Sequence, residues 1–164
     1  MQDEPVKVTG GCLCGNVRYE AEVFLKGGCY CHCRICQKST GQPAEVSVPI
    51  KSASLTFTKS EPKYYASSDY GKRGFCEECG SRLVWKATDP TNDWLTNVTV
   101  GSLDNSAEVR PSNHIYVDTQ LPWYEVDEGL PKYREEEMEA VMGIWKHERS
   151  AGRARALGRG DNRC

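Results

Sequence analysis

Seven of the nine cysteines in the chain fall into three closely spaced groups. The groups are Cys12 with Cys14, Cys31 with Cys33 and Cys36, and Cys76 with Cys79. Zn²⁺ binds thiolates tetrahedrally at about 2.3 Å, so that ligand sulfurs lie only about 3.8 Å apart. Close pairs meet this demand because a tight turn brings both sulfurs to one point. The spacing therefore predicts that these cysteines bind metal rather than form disulfides.

The first and last groups together provide four thiolates. Gly15 and Gly80 directly follow them, and glycine permits the left-handed turn that aims backbone N–H groups at sulfur. Because four cysteines leave no free coordination position, we predict a structural zinc, which would tie the start of the chain to its middle. Core cysteines or a disulfide are the alternative, but apolar burial alone does not explain paired spacing with a glycine after each pair.

The central group predicts a different kind of site. Cys31 and Cys33 would face the same side of an extended strand, and the segment up to Cys36 would turn back toward them. Three protein ligands leave the fourth position of Zn²⁺ open, as in catalytic zinc sites. Three thiolates give this zinc a net negative charge, which disfavours generation of hydroxide and favours a soft ligand such as a substrate thiol.

Three residues near the central group could extend it. Cys29 would face the same side as Cys33, but four residues of extended chain span roughly 13 Å, so we predict that it stays outside the site. A structural site completed by His32, His114 or water is the alternative to an open one. On a strand, His32 would point away from its cysteine neighbours, which favours a packed residue.

Short strands separated by turns must position these cysteines. Alternation of apolar and polar residues, or short apolar runs, predict strands over residues 17–23, 46–50, 55–57, 64–65, 83–85, 94–100 and 114–117. Glycine, proline and aspartate turn signals lie between these segments. The pattern predicts a mainly β fold, built from antiparallel sheets.

Two helices and a tail complete the predicted organisation. Apolar residues at positions 138, 141, 142 and 145 follow a glutamate-rich turn, which predicts one C-terminal amphipathic helix. A shorter helix is predicted over residues 37–40, ended by Gly41. We therefore expect a zinc-binding domain over residues 1–148 and an Arg/Gly-rich, disordered tail over residues 149–164.

Composition and charge restrict the class of protein. The chain has 164 residues, of which 38% are hydrophobic, so metal would supplement a modest core. It has no apolar run of about 18 residues, which predicts no membrane span. It shows no secretory signal, which predicts a reducing, cytoplasmic location. The net charge of −2 combines an acidic body with a basic tail, which argues against a broad nucleic-acid-binding face.

The three groups, in this order, resemble the glutathione-dependent formaldehyde-activating enzyme family, which is grouped with the centromere-protein-V domain. The resemblance is carried by GGCLCGNVRY at 10–19, CHCRICQK at 31–38 and FCEECG at 75–80, with weaker support from 111–117, Trp123 and 129–131. It spans about residues 8–135 and implies the β-tent fold, a set of zinc-pinned antiparallel sheets. It also implies a structural zinc on Cys12, Cys14, Cys76 and Cys79, and a catalytic zinc on Cys31, Cys33 and Cys36.

The activity that the resemblance implies is that of a carbon–sulfur lyase, which forms S-hydroxymethylglutathione from formaldehyde and glutathione. The open zinc would hold either the glutathione thiolate or the hydroxymethyl oxygen, and it would bring thiol and aldehyde together. Because glutathione has two carboxylates, the site should offer cations, and the candidates are Arg34, Lys38, Lys72 and Arg73. For each of them alone, a solvated surface charge is the simpler interpretation.

Two other classes of function stay open on the sequence. The domain could be a non-catalytic zinc-binding module for a protein or chromatin partner, which the acidic body disfavours and the Arg-rich tail favours. It could instead be a thiol redox or metal-buffer protein, with Cys29 beside the open cluster as the relevant residue. No catalytic triad or carboxylate pair stands out, so His32 and His114 are the remaining candidates for a general acid or base.

Overall fold

The computed structural model describes residues 4–89 and 95–143, and it is mainly β, as the sequence predicts. The strands are β1 (Val6–Gly11), β2 (Arg18–Val23), β3 (Gly28–Cys31), β4 (Glu45–Pro49), β5 (Thr56–Phe57), β6 (Lys63–Ser68), β7 (Gly71–Phe75), β8 (Arg82–Ala87), β9 (Thr96–Thr99), β10 (Pro111–Ile115) and β11 (Lys132–Tyr133). One sheet has the order β1-β2-β5, and the other has the order β11-β10-β3-β4-β9-β8-β7-β6.

Most strand pairs are antiparallel, and the exceptions involve β10. This strand pairs in parallel with β3 on one side and with β11 on the other. The prediction of antiparallel sheets is therefore correct for the remaining ladders and wrong for these two. About 80 residues separate the paired positions of β3 and β10. The chain therefore forms β4 to β9 before it returns to pair with β3.

Buried side chains form two apolar clusters. The larger one joins both sheets through residues such as Tyr19, Leu83 and Val98, and it includes Cys12 and Cys76. The smaller one contains three cysteines and three aliphatic residues, namely Cys29, Cys31, Cys36, Ile115, Met138 and Val141. Each cysteine site is therefore attached to its own part of the core.

The helix α1 (Arg34–Thr40) begins three residues earlier than predicted. Cys33 is extended, with φ −60° and ψ 147°, and its sulfur accepts a hydrogen bond from the Cys36 N–H at 3.3 Å. This sulfur takes the place of the usual hydroxyl or carboxylate cap, which the sequence rule does not anticipate. Gly41 ends the helix at φ 68°, as predicted.

A C-terminal helix is present over residues 138–143 of the described chain, after a single acidic turn at Glu135–Glu137. Met138 and Val141 are buried beside Cys31 and Cys36, as the amphipathic pattern requires. Position 145 and the tail over residues 149–164 lie outside the described residues. Among the described residues, no helix is long and apolar enough to cross a membrane.

Gly10 in β1 packs closely against Tyr19 and Ser102, and its replacement tests this contact. A Cβ there would lie 2.5 Å from the ring of Tyr19 and 2.6 Å from the carbonyl oxygen of Ser102. Because Tyr19 is only 1% exposed, Gly10→Ala should lower the free energy of unfolding by about 1–3 kcal/mol in a denaturant titration. Gly101→Ala is the control, since its Cβ would meet nothing within 4 Å. Equal stability of the two variants would contradict this account of the packing.

Candidate metal centres and the adjoining pocket

The first and last cysteine groups come together as one cluster. The ligand atoms of Cys12, Cys14, Cys76 and Cys79 all lie within 4.8 Å of one another. Two of the separations are 3.5 Å and 3.7 Å, close to the sulfur spacing around a tetrahedral metal. All four cysteines are free. Their number, chemistry and spacing fit Zn²⁺.

Two glycine turns shape this four-cysteine cluster. Gly15 has φ 74° and Gly80 has φ 75°, and their N–H groups donate to the carbonyl oxygens of Cys12 and Cys76 at 3.1 Å and 2.8 Å. The Val17 N–H donates to the sulfur of Cys12 at 3.2 Å. These turns show the left-handed glycines and the amide-to-sulfur contacts that the sequence predicts.

Ser81 connects the two turns of the four-cysteine cluster. Its hydroxyl lies 3.2 Å from the sulfur of Cys79 and accepts a hydrogen bond from the Leu13 N–H at 3.0 Å. Hydrogen bonds from the Ser81 side chain and backbone lower the pKa of Cys79 to about 5. This residue therefore favours the thiolate, the form of cysteine that binds metal.

The three central cysteines form a second cluster, in which all three sulfurs lie within 4.8 Å of one another. Strand β3 ends at Cys31, so the prediction that Cys33 shares this strand is wrong. Cys33 instead caps α1, and one helical turn brings Cys36 back to it. Cys29 is not part of the group, and its sulfur lies 3.8 Å from the Ser47 hydroxyl.

Buried hydrogen bonds fix the turn between Cys31 and Cys33. The His32 carbonyl oxygen accepts hydrogen bonds from Gln37 Nε2 and Thr119 Oγ1, both at 2.9 Å. Gln37, which is 5% exposed, also donates to the Thr119 carbonyl oxygen at 2.9 Å. The three-cysteine cluster is therefore preorganised by residues that are not ligands themselves.

His32 and His114 form a buried pair rather than joining either cysteine cluster. His32 Nε2 and His114 Nδ1 are 2.9 Å apart, and His114 Nε2 lies 3.3 Å from the Asp127 carbonyl oxygen. Because a carbonyl only accepts, His114 donates from Nε2 and its Nδ1 accepts from His32. Burial, with a contribution from His114, lowers the pKa of His32 to about 4. In the described residues, neither histidine joins a cysteine cluster.

A set of buried charges lies against the three-cysteine cluster. Arg73 is 5% exposed and its Nη2 donates to the sulfur of Cys36 at 3.2 Å. Glu45 is 4% exposed and forms an ion pair with Arg82 Nη2 at 3.6 Å. Burial raises the pKa of the Glu45 carboxyl, while the two arginines oppose this shift. Arg73 is thus not a solvated surface charge, and sequence reasoning missed Glu45 and Arg82 altogether.

A pocket of about 610 Å³ opens beside this cluster and these charges. It is lined by Arg34, Ile35, Lys38, Ser39, Tyr65, Ser67, Arg73, Phe75, Gly80 and Arg82. Four of these residues are cations and none is acidic, so the pocket suits an anionic ligand. Lys72 is not among them, and its ammonium group lies 5.1 Å from the centre of the Tyr64 ring.

A mainly β protein with a four-cysteine and a three-cysteine cluster is a cysteine-rich candidate metalloprotein. The model of the glutathione-dependent formaldehyde-activating enzyme family matches residues 7–119. The chain belongs to this family.

Two further proteins are similar to the chain. An uncharacterized lyase of Schizosaccharomyces pombe is 28% identical over 88 residues, which is 54% of this chain and 64% of that protein. The chain thus matches less than two thirds of the relative's length. A crystal structure of a Rhodobacter sphaeroides protein has a TM-score of 0.44 and 17% identity, and covers 76% of this chain and 98% of its own.

Proposed function

We propose that the protein is a zinc-dependent carbon–sulfur lyase that forms S-hydroxymethylglutathione from formaldehyde and glutathione, or acts on a related thiol adduct. The observation that carries the proposal is the three-cysteine cluster beside a pocket with four cations. Because the cysteines must stay reduced to act, the proposed location is a reducing compartment such as the cytoplasm.

The proposed cofactor is zinc, with two ions per chain. Cys12, Cys14, Cys76 and Cys79 would hold a structural ion, and Cys31, Cys33 and Cys36 a catalytic one. The donor sets fit because zinc prefers thiolates and because the sulfurs of each cluster are mutually close. When bound to three cysteines, zinc offers a fourth position at which a thiol is held as its thiolate.

The pocket supplies the rest of the proposed glutathione site. Its volume lies within the range of small-molecule pockets, which is about 300–1,000 Å³. Arg34 and Lys38 are exposed at its edge, where they can pair with the carboxylates of glutathione. Tyr65 and Phe75 provide walls for the apolar parts of the ligand.

The proposed reaction is an addition in which no group is oxidised or reduced. The glutathione sulfur forms a bond to the formaldehyde carbon, the carbonyl π bond breaks, and the thiol proton ends on the oxygen. The protein contributes mainly by holding the thiol in place and by excluding nonproductive orientations, since proximity lowers the barrier of a reaction between two molecules.

An exchange assay of formaldehyde with glutathione tests the proposed function directly. The rate of adduct formation and breakdown is measured with and without the zinc-loaded protein, and the spontaneous rate is subtracted. We expect a protein-dependent rate that is lost when zinc is removed. Equal rates with and without protein would refute the formaldehyde reaction and would favour a non-catalytic zinc-binding module.

Lys38→Ala tests whether the pocket binds the carboxylates of glutathione. Loss of a charge-assisted hydrogen bond worth about 1.5–3 kcal/mol should raise the KM for glutathione about tenfold or more, while kcat changes little. Lys72→Ala is the matched control, because Lys72 does not line the pocket. An unchanged KM in Lys38→Ala would place the carboxylates elsewhere.

A further inference from the structure

We propose that Arg73 is a positioning residue that neutralises excess negative charge at the three-cysteine cluster and thereby lets the open metal position accept a thiolate. This inference rests on the proposed function, because it concerns the same site. It assigns to Arg73 an action through the Cys36 sulfur, in place of direct contact with a substrate carboxylate.

The geometry of the guanidinium group is the first argument. Its Nη2 donates to the sulfur of Cys36 at 3.2 Å, and its Nη1 donates to the hydroxyl of Ser67. Ser67 in turn donates to the Gly71 carbonyl oxygen at 3.0 Å, across the β6–β7 hairpin. Because the guanidinium group is planar and permanently charged, this anchor directs a fixed positive charge at one ligand sulfur.

The charge of the buried site is the second argument. Three thiolates around a divalent ion leave one excess negative charge, and the carboxylate of Glu45 lies close by. Among the described residues, Arg82 forms an ion pair with Glu45 at 3.6 Å, which leaves Arg73 as the buried cation beside the sulfurs. A buried charge without a partner is costly. Without Arg73, an incoming thiolate would meet an anionic site.

The hydrogen bond to Cys36 also changes how the sulfur donates electrons. A donor that points at a thiolate withdraws electron density from it, so the metal remains a better acceptor for a fourth soft ligand. Partners that contact a metal ligand commonly change affinity or activity by about 10–100-fold. Lys72, one residue earlier in β7, lies against the Tyr64 ring and makes no such contact.

Thiol binding to protein that carries Co²⁺ at the three-cysteine cluster tests the inference. Two probes are titrated, glutathione and 2-mercaptoethanol, which has no carboxylate, and the sulfur-to-cobalt charge-transfer band is followed. In Arg73→Gln we expect the band to move to lower energy before thiol is added, and both thiols to bind about 10–100-fold more weakly. Lys72→Gln, the matched control, should resemble the unmodified protein.

Two outcomes would overturn the inference. If Arg73→Gln weakens the binding of glutathione alone and leaves the band in place, Arg73 binds a substrate carboxylate instead. If Arg73→Gln fails to fold, Arg73→Lys decides, because it keeps the charge and replaces the fork of donors by a single ammonium group. We expect it to bind both thiols nearly normally, and binding of both thiols about 10–100-fold weaker than in the unmodified protein would contradict the role.

The same measurements separate this inference from the proposed function, because they contain no formaldehyde. A protein that binds both thiols in the Arg73-dependent way but does not accelerate adduct formation would refute the reaction and leave the role of Arg73 intact. A protein that forms the adduct, but whose thiol affinity does not depend on Arg73, would support the proposed reaction and refute the role of Arg73.

Discussion

Cys76→Ser is expected to unfold the protein. Cys76 is fully buried in the larger apolar cluster, and its sulfur lies 3.7 Å from that of Cys14. Structural zinc sites contribute about 10–16 kcal/mol of apparent binding free energy, which is comparable to the whole stability of a domain, about 5–15 kcal/mol. Serine is a poor zinc ligand, so the variant should lose both the metal and the connection between residues 14 and 76.

Circular dichroism and metal analysis check this prediction together. We expect Cys76→Ser to show no cooperative thermal transition, and a strong chelator to produce the same state from the unmodified protein. Cys29→Ser is the control, because Cys29 is also buried but belongs to neither the four-cysteine nor the three-cysteine cluster. A Cys76→Ser protein that melts cooperatively near the original temperature would show that the four-cysteine cluster is not what holds the fold.

Strands that pack one face against the core could be predicted from the sequence, and others could not. β2 alternates between buried and more exposed residues, and the alternation of apolar and polar residues in its sequence predicts this. β7 has the sequence GKRGF, in which buried Arg73 lies between lysine and glycine, so no apolar alternation marks it. The parallel pairing of β10 with β3 depends on contacts about 80 residues apart, which local patterns do not encode.

The two cysteine clusters were easier to predict than the charges beside them. Close cysteine spacings, and the glycines after two of the groups, are local features, so both sets of sulfurs could be grouped from the sequence. Glu45 lies opposite Cys31 in the β3–β4 ladder. In the sequence, however, it alternates with the apolar residues that start at Val46, so it is predicted to be exposed. Its burial, like that of Arg82, results from the packing of elements that are distant in sequence, and no local residue pattern predicts it.

Cys33→Ser is expected to abolish lyase activity while the fold survives. Cys33 caps α1 and is only partly buried, and its cluster is attached to the smaller apolar cluster. Zinc content should fall from about two ions per chain to about one, because two thiolates no longer make a site. Adduct formation should fall to the spontaneous rate, since the proposed thiol position is lost with the metal.

Comparison with Cys76→Ser separates a structural from a catalytic role, because each variant removes one thiolate from a cysteine cluster. If the four-cysteine cluster holds the fold and the three-cysteine cluster performs the chemistry, then one variant unfolds and the other stays folded but inactive. Thermal melting and zinc analysis of Cys33→Ser, with Cys29→Ser as the control, decide the matter. An unfolded Cys33→Ser protein would make the central site structural, and a folded variant with full activity would place the reaction away from it.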